Sequence, residues 1–184
     1  MSLGSLLRPI IFIIYINDLA EHCHCGSDIY LYAGEAKLFS FIKCWEDSLA
    51  LQKDLDNLTQ WMDVWLLRLN IGKCKAVSYG RRPKICTNYN ISGEIIEKIE
   101  SIKDLGVTFD NKLKFDDHIN NKISTAYQML GIVKRNFIYL TPDSFVVLYK
   151  SMIRSHLEYA VSVWNPHLQS LIEKLEKVQN VLLN

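Results

Sequence analysis

Leu51, Leu55, Leu58, Met62 and Trp65 recur at steps of four, three, four and three residues. This spacing places them on one stripe of an α-helix and predicts a helix over 46–69. Asp47, Lys53, Asp54 and Asp56 lie off the stripe. A helix with a single apolar face must bury it against another element. The expected partner is a sheet, with a partner helix as the sharper alternative. Short strand signals surround the helix. Residues 29–33 and 37–42 are rich in Leu, Tyr, Phe and Ile and bracket Gly34-Glu35, the pattern of a hairpin. Residues 75–79 read as a strand. Residues 89–96 read as a hairpin around Ser92-Gly93, where glycine supplies the turn geometry. Two more short strands fall at 99–102 and 107–109.

From there on the signals are helical only. Asp116 or Asp117 is placed to cap a helix running through Phe137, with Ile119, Ile123, Tyr127, Leu130 and Val133 along its apolar side. Thr141-Pro142 opens another, with Thr at the cap and Pro at the first helical position. Phe145, Leu148 and Met152 continue one face, and Asn165-Pro166 ends that run. A last helix carries Leu168, Ile172, Leu175 and Val178. Near the start, 10–19 is apolar nearly all round and is expected to be a buried helix. Mixed elements followed by helices alone predict an α+β fold. The division is set at 1–112 and 113–184.

Composition narrows the function classes. At 184 residues and 49% hydrophobic, the chain is globular rather than disordered. A net charge of +1 argues against a strongly basic nucleic-acid binder overall but leaves room for a local patch. Five cysteines are an odd count and make no disulfide framework, so a reducing intracellular compartment, cytoplasmic or nuclear, is expected. His22, Cys23, His24 and Cys25 lack a second ligand pair at zinc-finger spacing. The apolar run 6–16 is broken by Arg8-Pro9, has no cleavage pattern after it, and is short of the ~20 residues that span a bilayer. No membrane partner is expected. No serine or cysteine sits in a nucleophile elbow.

The ordered motifs carry a resemblance. Gly4-Ser5-Leu6-Leu7-Arg8-Pro9 followed by Tyr15-Ile16-Asn17-Asp18-Leu19 resembles the motif before the catalytic turn in non-LTR retrotransposon reverse transcriptases of the jockey and CR1 type. Leu31 through Phe39 resembles the catalytic turn itself. Trp61, Trp65 and Leu66-Leu67-Arg68-Leu69-Asn70 resemble the next helix, and Lys73-Cys74-Lys75 the strand after it. Lys103-Asp104-Leu105-Gly106-Val107 resembles the primer-grip region. Leu148-Tyr149-Lys150-Ser151, His156-Leu157-Glu158-Tyr159-Ala160 and Trp164-Asn165-Pro166 resemble the segment after the palm.

The resemblance implies the C-terminal part of a polymerase palm, an antiparallel sheet with packed helices, then a helical thumb-like region. It implies an ancestral RNA-directed DNA polymerase using Mg²⁺ on a primer-template. Two-metal chemistry needs carboxylates converging on the metals. The family's catalytic aspartate pair falls on Gly34-Glu35, and each replacement is one base from an aspartate codon. The family's other carboxylate comes from a strand upstream of the Gly-Ser motif, which this sequence does not contain. The resemblance thus implies a truncated, degenerate domain, catalytically inactive, with no cofactor expected. Asp18, Asp28 and Glu35 show no spacing that favours a substitute metal site. Arg8 stands where the family has glycine in the loop shaping the template pocket.

Gly4, Ser5 and Lys73 match family positions near nucleotide and template. Lys73, Lys75, Arg81, Arg82 and Lys84 form the best basic cluster. Such clusters read phosphates in a salt-sensitive way. Tyr79 and Tyr89 flank the cluster, either as base-stacking groups or as strand core. Lys134, Arg135, Lys150 and Arg154 lie on the thumb-like helices, where the family grips duplex and where a plain solvated surface is the simpler expectation. Three roles remain: weak binding of an RNA or DNA primer-template, a protein-interaction or self-association module, and a translated relic.

Overall fold

The computed structural model describes residues 4–22, 26–80, 88–139 and 141–180, with side chains described from 10 to 178 of these. Two compact units emerge. The first comprises Met1–Ala76 with Arg82–Ile99, and the other Val77–Arg81 with Glu100–Asn184.

The first unit is built around α2 (Trp45–Val64). Its first turn is fixed by Asp47, whose carboxylate accepts the backbone N–H groups of Lys43 (2.7 Å) and Cys44 (3.0 Å). Negative charge is favourable at a helix N-terminus, where backbone donors are otherwise unpaired. Leu58, Trp61 and Met62 are buried with Leu19, and Ile16, Ile29, Leu67 and Leu69 pack against them. The buried stripe is rotated from the one expected. Trp65 is 42% exposed, while Asp54, expected off the stripe, is fully buried and accepts the Ser27 N–H at 3.2 Å. Spacing cannot show that a carboxylate on the inner face has a backbone donor waiting for it.

α1 (Gly4–Tyr15) begins and ends earlier than expected, and a 3₁₀ turn follows at Leu19–His22. Its expected burial is not found: Ile10, Ile11, Ile13 and Ile14 are 57–70% exposed. Among its described side chains, those at the C-terminal end dock. Tyr15 donates its hydroxyl to the Trp65 carbonyl and stands edge-on to Trp65 at 5.2 Å. An all-apolar helix shows a need for cover, and among its described side chains the cover is at the C-terminal end.

β1 (Asp28–Tyr32) and β2 (Glu35–Phe39) form an antiparallel hairpin in which Tyr32 faces Glu35. The turn is therefore Ala33-Gly34, one residue earlier than expected, and Glu35 opens the returning strand. β3 (Lys75–Ala76) is only two residues long and pairs in parallel with β6 (Glu97–Lys98). β4 (Asn90–Ile91) and β5 (Glu94–Ile95) make the expected hairpin around Ser92-Gly93, both at positive φ. The Gln52 side chain clamps β4 to α2 by accepting from Asn90 N–H (3.0 Å) and donating to its carbonyl (2.9 Å).

In the other unit, β7 (Ser101–Asp104) and β8 (Val107–Asp110) form a hairpin around Leu105-Gly106. It packs with α3 (Asp116–Asn136), so the expected change of character at 112–113 falls inside this unit. The cap of α3 differs from expectation. Phe115 occupies the cap position at φ 61°, and neither Asp116 nor Asp117 caps. The Asp110 carboxylate instead accepts N–H bonds from Lys112, Lys114 and Phe115 at 2.9, 2.8 and 2.7 Å.

α4 (Pro142–Leu148) starts as expected, with the Thr141 hydroxyl accepting the Ser144 N–H. It widens into a π-helical turn at Tyr149–Arg154, then continues as α5 (Ser155–Glu158). The chain kinks at Ala160 (φ 54°) before α6 (Val161–Trp164), and α7 (Gln169–Asn180) closes the unit. Ala126, Leu130, Ile153, Leu157 and Val178 form one core cluster, and Val107, Ile119, Trp164 and Leu171 a second. Tyr127 and Leu168, expected inside, are 41% and 44% exposed; Ala126 and Leu171 take the inner positions. Among the described residues no helix is long and apolar enough to cross a membrane.

Candidate functional site

The β1–β2 hairpin is the natural place to look for chemistry, because a tight turn between strands holds its side chains rigidly. Its tip carries a single carboxylate, Glu35, exposed to solvent. Gly34 offers no ligand atom. Asp28 pairs with Phe39 at the far end of the hairpin, whereas Glu35 pairs with Tyr32 at the tip. Four residues of strand, roughly 13 Å at 3.3 Å per residue, keep the two carboxylates apart. Asp18 lies in the turn before the 3₁₀ segment and its carbonyl faces His22 Nδ1 at 3.1 Å. Among the described residues no three His, Cys, Asp or Glu side chains gather where they could hold a metal. Cys23, His24 and Cys25 lie outside the described residues.

The basic cluster is only partly on view. Lys73 ends a 3₁₀ turn, Ile71–Lys73, and is exposed. Lys75 on β3 forms an ion pair with Glu97 on β6, its cross-strand neighbour. Its charge is therefore already partly neutralised before any ligand arrives. Arg81, Arg82 and Lys84 lie outside the described residues, as does the side chain of Ser5. Gly4 and Ser5 occupy the first turn of α1. Tyr89 is half-buried and shares a 3.0 Å hydrogen bond with Ser48 on α2, which ties it to the fold rather than to a stacking role. Tyr79 is 43% exposed, and burial, followed by the nearby charges of Asp104 and Asp110, raises its phenol pKa.

Lys134, Arg135 and Lys150 are exposed, and Arg154 pairs with Glu158 one helical turn on, at 2.6 Å. A cleft of about 220 Å³ lies beside the end of α2. Thr59, Met62, Asp63, Arg68, Ile91 and Ser92 are among the residues lining it.

The contacts of two residues had no local sequence signal. His118 is 2% exposed, accepts the Thr108 N–H at Nδ1 (3.1 Å) and stands edge-on to Trp164 at 5.3 Å. Burial, then the charges of Lys122 and Lys103, push its pKa down. Tyr159 donates its hydroxyl to the Leu105 carbonyl at 2.8 Å, and its ring lies 5.0 Å from the Lys122 ammonium. A lone histidine and a lone tyrosine carry no pattern; only the fold shows what they reach.

The arrangement has a hairpin with one carboxylate at its tip and lysines set among short strands, and comparison with known proteins finds relatives. The chain is 28% identical over 188 residues, 96% of its length, to the RNA-directed DNA polymerase from mobile element jockey of Drosophila melanogaster. This chain is a relative of mobile-element RNA-directed DNA polymerases. The jockey polymerase of Drosophila funebris is 26% identical over 192 residues, 98% of this chain. The probable RNA-directed DNA polymerase from transposon X-element of Drosophila melanogaster is 21% identical over 194 residues, 96% of this chain. The chain spans about a fifth of the length of these curated relatives, 20%, 21% and 20% respectively. No family model matches it. No solved structure matches it. The chain is thus similar over nearly its whole length to part of these mobile-element polymerases.

Proposed function

We propose that this segment is a palm-and-thumb portion of a reverse transcriptase in which the catalytic hairpin no longer supports nucleotidyl transfer and nucleic-acid contact is the retained property. The observation that carries the reading is the hairpin tip: Ala33-Gly34 in the turn, and Glu35 as its one carboxylate. Two-metal transfer needs oxygen ligands clamping both metals between the attacking and leaving oxygens. Mg²⁺ adds a demand for near-octahedral oxygen geometry at close range. One exposed glutamate beside a glycine does not supply that donor set. What remains is a set of cations: Lys73, which is exposed, with Arg81 and Arg82 following in sequence outside the described residues. Lysine and arginine contact phosphates without reading sequence.

Primer extension by the purified chain with Mg²⁺ or Mn²⁺ tests the first half. The expected outcome is no incorporation; incorporation that persists through purification and disappears in Glu35→Ala refutes it. Anisotropy titration with a labelled RNA–DNA primer-template tests the second half. Binding should be saturable, weaken with salt, and weaken further in Lys73→Glu.

A second reading, a protein-interaction module, is favoured by a different observation. Ile10, Ile11, Ile13 and Ile14 on α1 and Tyr30, Tyr32 and Phe41 at the hairpin are all more than half exposed. Exposed apolar surface of this kind marks interaction sites. A defined oligomer in sedimentation velocity supports it, and a monodisperse monomer counts against it.

A further inference from the structure

The β1–β2 hairpin is a sheet of two strands, and among the described residues neither strand has a second neighbour. A two-residue turn joins them, so the flanking residues Tyr32 and Glu35 exchange both ladder hydrogen bonds. The ladder alternates from there. Asp28, Tyr30 and Tyr32 turn their backbone groups toward β2, while Ile29 and Leu31 turn theirs outward. Among the described residues no other backbone group meets those outward groups. Tyr30, Leu31 and Tyr32 are exposed beside them. An open, apolar strand edge is a template for pairing with another strand. A two-stranded hairpin is also marginal by itself and gains from added strands.

The residues of β1 specify which strand fits. A second β1 can lie antiparallel to the first, across a two-fold axis that passes through Tyr30 perpendicular to the sheet. Ile29 then faces Leu31 of the second copy, and Tyr30 faces its own counterpart. Asp28, the only charge on the strand, faces the uncharged Tyr32. The two Asp28 carboxylates fall at opposite ends of the pairing, about 13 Å apart along the strand at 3.3 Å per residue. Ile29 and Leu31 carry the outward backbone groups, so each of the two Ile29–Leu31 pairs exchanges both of its hydrogen bonds. Tyr30 sits at the position without ladder bonds, where facing Cα atoms are about 4.5 Å apart and side chains come closest. Aromatic pairs stabilise a sheet at such positions. β2 lacks this fit to itself. The same construction sets Lys37 opposite Lys37, and lysine on an edge strand opposes pairing.

We propose that the chain forms a symmetric dimer by antiparallel pairing of β1 with β1 of a second copy, giving one continuous sheet in the order β2-β1-β1-β2. The dimer rests on the protein-interaction reading above, and names its partner and its contact. It closes on itself, because each copy uses its one compatible edge.

Sedimentation velocity of the full chain over a concentration series tests it, with wild type, Tyr30→Lys, Leu31→Pro and Ala36→Pro. Leu31 and Ala36 face each other across the hairpin, so the two prolines burden it alike. Each removes an outward N–H, a loss that an edge strand tolerates. Only Leu31→Pro removes it from β1. Wild type should be a reversible dimer. Tyr30→Lys loses the aromatic pair and sets like charges opposite each other, so its dissociation constant should rise about tenfold. Leu31→Pro should raise it too, and Ala36→Pro should leave it at the wild-type value. Tyr30→Lys, at a position 60% exposed, carries the comparison should Leu31→Pro fail to fold. Tyr30→Cys reads the register. Cα atoms about 4.5 Å apart lie within disulfide range, so mild oxidation should give a covalent dimer whose mass spectrum shows two copies linked through position 30. Lys37→Cys should give no such link through position 37. A wild-type dimer that Tyr30→Lys leaves unchanged, with no link through position 30, overturns the β1 contact and leaves the interaction reading standing. Equal weakening by Leu31→Pro and Ala36→Pro, or growth into open polymers, overturns the assignment to one edge. A monodisperse wild-type monomer throughout the series overturns both the dimer and the interaction reading.

Discussion

Replacing Asp110 by alanine should loosen the entry to α3. Its carboxylate accepts three consecutive-loop N–H groups, from Lys112, Lys114 and Phe115, at 2.7–2.9 Å. The loop those bonds hold contains Leu113 at φ 54° and Phe115 at φ 61°, conformations that cost a residue with a side chain energy to maintain. A hydrogen bond of this kind contributes about 1 kcal/mol net. Three would give about 3, and partial exposure, which lets water replace them, reduces the sum to about 2 kcal/mol. For a unit of this size that is a fall in Tm of roughly 8–16 °C. Burial pushes the Asp110 carboxyl pKa up, but the N–H groups of Phe115, Lys112 and Lys114 outweigh it and leave the pKa below its ordinary value of 3.8. Folding therefore favours the ionised form. The contribution is complete above the unfolded value and is lost as pH falls through the lower folded one. Wild type should lose this advantage over Asp110→Ala only below about pH 4, by that linkage. Thermal melting of both chains at pH 7 and pH 3, with amide exchange at 112–115, measures it. A Tm unchanged at pH 7 and unaltered exchange in the loop would refute the assignment of the cap to Asp110.

Other outcomes follow from the same geometry. His118 is held below its ordinary pKa of 6.5 by burial and by Lys122 and Lys103, so the unfolded chain binds the extra proton. Its contribution is present above that value and should decline as pH falls through the depressed folded pKa; melting from pH 7.5 to 5 should show a decline that His118→Phe flattens. Leu58→Ala should cost about 2–5 kcal/mol, since Leu58 is 5% exposed at the centre of the α2 core; urea unfolding reads this, and a loss below about 1 kcal/mol would mean that core is not packed as described.

How much of this was legible beforehand depended on whether a signal was local. The Ser92-Gly93 turn and the Thr141-Pro142 helix start were written in adjacent residues, and both are found where expected. Helix existence was legible from period; the rotation of its buried face was not. Asp54 is inside because Ser27, distant in sequence, presents an N–H to it. Asp110 caps a helix that begins six residues later, beyond the range of any capping pattern centred on Asp116 or Asp117. The parallel pairing of Lys75 with Glu97 joins segments 22 residues apart and turns a candidate phosphate ligand into half of an ion pair. At the candidate site, the residue types at the hairpin tip were readable from sequence alone, but the separation of Asp28 from Glu35 needed the register.

The hairpin turn also bears on what a carboxylate at residue 34 would meet. Ala33, not Gly34, adopts the left-handed backbone, at φ 50°, and Gly34 lies outside that region. A Cβ built on Gly34 meets nothing within 4 Å. Neither backbone nor neighbours exploit the glycine, so an aspartate placed there would sit in open space on an unstrained main chain. Gly34→Asp would thus meet no resistance from its described neighbours, and a chain carrying it keeps its turn while regaining a carboxylate at the hairpin tip.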